Sequence, residues 1–156
     1  MKSLYLKTIP LVFFLLLIAT VVDDLAPKIN RIELSSTNRN VNDGQLRIAL
    51  ASDLHIANNS ESLSNIAALW EEVVAEAPDI IMLAGDYVNN GGAGDDLTLH
   101  RRAIASVLGR TEGIPVVAVL GNHEQWSSSE LWAEAFGDAG IVVLENQISV
   151  MADLNL

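Results

Sequence analysis

The sequence contains no cysteine. Disulfides, thiol catalysis and cysteine-type zinc sites are therefore excluded. Positive charge is scarce too: 9 Lys and Arg stand against 20 Asp and Glu, a formal net charge of -11. A nucleic-acid partner is not expected, because phosphate backbones are gripped by Lys/Arg patches. An acidic chain that takes an anionic substrate needs added cations at its site, and bound metals supply them. Histidine is limited to His55, His100 and His123. With 156 residues the chain has room for one small domain. Its hydrophobic fraction of 50% allows a core, although one apolar block near the N-terminus inflates that figure.

That block, residues 9–22, reads IPLVFFLLLIATVV without a charge. Lys2 and Lys7 precede it, and Asp23 and Asp24 follow. Basic flank, apolar stretch and acidic flank form the pattern of a signal sequence or a single-pass anchor. The uncharged stretch from Thr8 is short against the roughly 17–25 residues of a span. Leu4, Tyr5 and Leu6 extend it if Lys7 snorkels to the interface. Ala19-Thr20-Val21 is a poor cleavage site, which favours an uncleaved transmembrane helix over a cleaved signal. The charge bias predicts the N-terminus in the cytoplasm and the domain outside it. Three segments are expected: 1–24, a membrane anchor or signal; 25–45, a polar connector with Pro27 and the turn signal Asn42-Asp43-Gly44; and 46–156, the domain.

Within the domain, apolar runs alternate with helical patterns. Leu46–Ala51, Ile80–Ala84 and Pro115–Leu120 read as buried strands. A helix from about Ser62 to Ala77 puts Ile66, Leu69, Trp70, Val73 and Val74 on one face and stops at Pro78. A second helix follows Asp95 or Asp96 as its cap, reaches Leu108 and stops at Gly109. A third, Ser128 to Ala139, points Leu131, Trp132, Ala135 and Phe136 inward. Ile141–Leu144 and Ile148–Val150 read as two short strands. The alternation predicts an α/β fold with a mainly parallel sheet and right-handed crossovers.

Three polar signatures interrupt the chain where the apolar runs stop: Asp53-Leu54-His55, Gly85-Asp86 and Gly121-Asn122-His123-Glu124. Neighbouring parallel strands would gather them on one sheet edge, where open α/β sheets place their sites. Asp, His and Asn are hard or borderline ligands for divalent metals. On an extended segment Asp53 and His55 would point to one side and share an ion. Asp86 has two oxygens and could bridge two ions, while Gly85 lets backbone approach closely. Asn122 offers a carbonyl oxygen to a second ion. His123, on a turn, would face the substrate rather than the metal. Two ions about 3.5–4 Å apart activate water and stabilise an in-line displacement, and a nearby imidazole protonates the leaving oxygen.

Other residues read more plainly. His100, followed by Arg101 and Arg102, reads as solvated helix surface. The Gly91–Gly94 loop lacks the Gly-Lys-Ser/Thr end of a phosphate loop and reads as a flexible connector. Trp70 and Trp132 read as core. Trp126 either lines a substrate entrance or packs. Glu124 either orients a ligand or caps the turn.

The three signatures, in order and in the settings PDIIMLAGDYV, VVAVLGNHEQW and GIVVLENQ, resemble the calcineurin-like metallophosphoesterase superfamily. Within it they resemble the bacterial membrane-associated phosphohydrolase branch. The resemblance covers Leu46 to Val150. It implies a layered metallophosphoesterase-like sheet with flanking helices. It implies Asp53 and His55 on a first metal, Asp86 bridging, Asn122 on a second, and His123 as the catalytic imidazole. The cofactors implied are two divalent ions, manganese, zinc or iron. The substrate implied is a phosphomonoester, phosphodiester or pyrophosphate, for which the tether raises a lipid-linked option, hydrolysed by metal-activated water. The family's later His and Gly-His-x-His block find no match before Leu156. The expectation is therefore the first half of the fold only, with the second metal site incomplete. A catalytically inactive remnant and a membrane-tethered interaction module are the alternatives.

Overall fold

A computed structural model describes residues 28–34, 45–89 and 95–150. The chain divides into two compact units, Met1–Leu34 and Ser35–Leu156. Residues 28–34 contain neither helix nor strand. The apolar block at 9–22, most of the connector and the Gly91–Gly94 loop lie outside the described residues. No described helix is long and apolar enough to cross a membrane.

Strands β1 (Ile48–Ala51), β2 (Ile80–Leu83), β3 (Val116–Ala118) and β4 (Val142–Val143) form one sheet in the order β1-β2-β3-β4. Every pair is parallel. Parallel neighbours need crossovers. Helices α1 (Ser60–Ala75), α2 (Asp95–Leu108), and the pair α3 (Asn122–Trp126) and α4 (Ser129–Asp138) supply them. Sequential strand order with crossovers of one hand puts all the helices on one face of the sheet.

Burial follows that rule. Ile81, Leu83, Val116 and Ala118 share one core with Trp70, Ile104, Leu108, Trp132 and Phe136. Each such Val, Leu, Ile or Phe side chain contributes about 1.5–3 kcal/mol by leaving water. The opposite face is open at the edge strands β1 and β4. The register aligns Leu50, Met82, Val117 and Val142 in one row across the sheet. Leu50 in that row is 71% exposed.

A local signal fixes the start of α1. The Asn59 side chain accepts the Ser62 N–H at 2.8 Å and caps the helix. Three expectations change. Ile148–Val150 forms no strand, and Ile148 and Val150 are exposed. Alternating apolar residues make a strand only beside a partner, and none pairs with them among the described residues. The Asn122 region is a short helix rather than a turn, because Glu124 reaches back to the Gly121 N–H at 2.9 Å and starts a helical turn. His100 is buried, not solvated, for a reason that belongs to the site.

Candidate metal centre

The ends of β1, β2 and β3 meet at one edge of the sheet. Pairing continues past the end of β1. The Asp53 N–H donates to the Gly85 carbonyl at 3.0 Å, His55 to Asp86 at 3.0 Å, and Ile56 to Tyr87 at 2.8 Å. The backbone is nevertheless left-handed at Asp53 (φ 55), His55 (φ 42) and Asp86 (φ 57). The expected extended Asp53–His55 segment is therefore not what forms. Left-handed backbone at residues other than glycine costs of order 1–3 kcal/mol each and persists where surrounding contacts dictate it. Here it falls on three of the residues singled out as metal ligands.

Two glycines let the loops after β2 and β3 touch. A Cβ at Gly85 (φ +93) would lie 2.8 Å from the Gly121 nitrogen. A Cβ at Gly121 would lie 2.1 Å from Asp86 Oδ1. Any side chain at either position would push Asp86 away from α3.

Glu124 clamps the same two loops. It is fully buried, with 0% exposure. Its Oε2 accepts the N–H groups of Asp86 and Gly121, each at 2.9 Å. Its Oε1 accepts Tyr87 at 2.9 Å and Val88 at 3.3 Å. One buried carboxylate thus satisfies four backbone donors, which is how a buried charge is tolerated. Asp86 returns the link: its Oδ1 accepts the His123 N–H at 3.3 Å. The sequence left Glu124 open between orienting and capping. The geometry assigns it both.

Helix α2 braces the site from below. His100 Nε2 lies 3.1 Å from the Ile56 carbonyl, so the proton resides on that nitrogen. The Arg101 guanidinium donates to the Ser127 carbonyl at 2.9 Å and lies 5.4 Å above the Trp132 ring. Burial lowers the Arg101 pKa from its ordinary value. The Ser127 hydroxyl donates to the His123 carbonyl at 2.8 Å and accepts the Trp132 indole N–H at 2.9 Å. Consecutive residues of α2 therefore hold the loop after β1 and the end of α3. The missed signal was spacing: Leu97, Ile104, Ala105 and Leu108 mark the buried stripe of α2, and positions 100 and 101 fall on it.

Tyr87 closes the floor. Its hydroxyl accepts the Gly85 N–H at 3.0 Å and donates to the Val119 carbonyl. Its ring packs on Phe136 at 5.0 Å and on Trp132 at 6.4 Å. Burial above all, opposed by the Gly85 bond and aided by the charges of Glu124 and Asp86, pushes the phenol above its ordinary value of 10.0.

On this frame His55, Asp86 and His123 each offer a ligand atom, and the three atoms lie within 4.8 Å of one another. The His55 and His123 rings meet edge to face with centroids 4.8 Å apart. Asp53 stands at the margin: its Oδ1 is 3.8 Å from His55 Nε2, its side chain is 67% exposed, and its Oδ2 accepts the Ser52 hydroxyl. Asn122 is exposed at the first position of α3. His123, expected to face the substrate rather than the metal, has its ligand atom within 4.8 Å of those of His55 and Asp86. Two imidazoles and a carboxylate are the donor number and type of open catalytic metal sites. His123 Nδ1 is buried and has no hydrogen-bond partner among the described residues. The residues present fit a divalent cation.

Comparison with known proteins gives the same direction. The chain is 34% identical over 118 residues to "Phosphodiesterase YaeI" of Escherichia coli (strain K12), covering 73% of this chain and 42% of that protein. It is 28% identical over 100 residues to "Probable inactive purple acid phosphatase 29" of Arabidopsis thaliana, covering 54% of this chain and 25% of that protein. The chain thus spans less than half the length of these curated relatives. The family model for calcineurin-like phosphoesterase matches residues 46–153, the stretch holding all three signatures, and the chain belongs to that family.

Proposed function

We propose that this chain carries the strand-end metal centre of a phosphodiesterase. The observation that supports the reading is the convergence of His55, Asp86 and His123 on one point. The diester preference comes from the name of the bacterial relative. His55 and Asp86 would hold an ion, with Asp53 beside His55, and Asp86 with Asn122 would serve a second. A bound divalent cation supplies Lewis acidity to a phosphoryl oxygen and makes water more acidic. The His123 imidazole, whose ligand atom lies within 4.8 Å of those of His55 and Asp86, would hydrogen-bond a phosphoryl oxygen or protonate the departing oxygen. Glu124 keeps Asp86 and His123 in register through backbone bonds.

The N-terminal block at 9–22, between Lys7 and Asp23, supports a further part of the proposal. It tethers the domain to a membrane with the site outside the cytoplasm. An interaction module without turnover is the competing reading, favoured by the open row Leu50, Met82, Val117 and Val142. Hydrolysis of bis(p-nitrophenyl) phosphate by the full chain in manganese buffer separates the two. Metal-dependent release of nitrophenolate, lost in Asp86→Ala and on chelation, is expected. Release no faster than in Asp86→Ala would overturn the enzymatic reading.

A further inference from the structure

Trp126 is the large aromatic residue of the domain that the core does not use. Trp70 and Trp132 are buried, whereas Trp126 is 69% exposed. It ends α3, three residues after His123, and the two rings lie with centroids 5.0 Å apart at a 35° tilt. His123 in turn touches His55 edge to face. The three rings form a continuous chain of contacts from the candidate metal cluster to the solvent. The indole is thus an exposed, flat, polarisable ring beside the imidazole that the proposed function places at the phosphoryl group. Indole left in water is costly, and a planar ligand group recovers that cost by stacking.

We propose that Trp126 is a specificity-determining residue that stacks on the planar organic group the phosphoryl retains when the ester is cleaved, an aryl or nucleobase ring. The proposal rests on the phosphodiesterase reading and adds the class of group that the ester carries. The net charge of -11 disfavours a polyanionic strand, so the ring belongs to a small diester.

Two esters with one leaving group test this: p-nitrophenyl phenyl phosphate and p-nitrophenyl methyl phosphate. Both release nitrophenolate, and only the first retains a ring. For the full chain with manganese, Trp126→Ala should raise KM for the phenyl ester at least about fivefold, the lower end of what aromatic stacking on a base is worth. Its kcat should stay within about twofold, and the methyl ester should be unaffected. Trp126→Phe, which keeps a flat ring, should restore most of the affinity. Equal effects on both esters, or no effect on either, would overturn the stacking role while leaving the hydrolytic reading intact.

Fluorescence supplies the arm that does not depend on turnover. Phenylphosphonate titrated into the zinc-loaded chain should change the emission saturably. Methylphosphonate should not, and Trp126→Phe should lose the response. The response without any ester hydrolysis would overturn the phosphodiesterase reading alone. No response and no hydrolysis would overturn both.

Discussion

Replacing Glu124 by glutamine changes one atom and tests how the site is held. The wild-type carboxylate accepts four backbone N–H groups, two on each oxygen. Glutamine keeps one accepting oxygen and turns the other into an amide that donates. Whichever way it is placed, two N–H groups then face an NH2 group. They are either Asp86 and Gly121, or Tyr87 and Val88. Each buried donor left without a partner costs about 1–3 kcal/mol, so the pair costs about 2–6 kcal/mol. Release from burying a charge offsets part of this, leaving a net loss of about 2–4 kcal/mol. Against a total stability of about 5–15 kcal/mol, that is a large fraction. Urea unfolding followed by circular dichroism reads it out. With m of about 1.5 kcal/mol/M, the midpoint should fall by roughly 1.3–2.7 M with m unchanged. A shift under about 0.3 M would refute the claim that this carboxylate joins the loops after β2 and β3.

Three further outcomes follow from the same geometry. Tyr87 has its pKa raised in the fold, so above pH 10 the unfolded chain loses a proton that the folded chain keeps. Stability attributable to Tyr87 is thus complete below that pH and falls by about 1.4 kcal/mol per pH unit above it; urea midpoints at pH 9 and pH 11 should show the steeper loss in wild type than in Tyr87→Phe. Leu83 faces the core and Leu50 faces the open side of the sheet, so Leu83→Ala should cost about 2–5 kcal/mol in urea unfolding and Leu50→Ala less than about 1 kcal/mol. For His123→Ala, metal titration and kinetics separate two roles: a catalytic imidazole predicts unchanged metal affinity with kcat lowered about 100-fold or more, whereas weakened metal binding would make His123 a ligand.

The sequence made the strand ends readable because apolar runs of strand length stop abruptly at polar signatures. Ile80–Leu83 before Gly85-Asp86 is the clearest case. Parallel order then follows from the helical patterns between the runs. The local backbone was not readable. Left-handed φ at Asp53, His55 and Asp86 comes from pairing with a neighbouring loop, which periodicity does not encode. The role of Glu124 was half readable, since its position three residues after Gly121 marks a helix start. Its bonds to Asp86, Tyr87 and Val88 join residues more than 35 positions away. His100 was misread through polarity: a histidine beside two arginines looks solvated until its place on the buried stripe of α2 is counted. The Ile148–Val150 pattern misled because alternation marks a possible strand face and says nothing about a partner.

The central claim is that the strand ends of this domain hold a divalent cation. Calorimetric titration of the full chain with manganese and with zinc tests it most directly, for wild type, His55→Ala and Asp86→Asn, with circular dichroism verifying that each variant is folded. The account predicts saturable binding in wild type that weakens at least about tenfold in either variant, since loss of a supporting partner alone costs 10–100-fold. Binding of equal affinity in all three chains, or none in wild type, would contradict it.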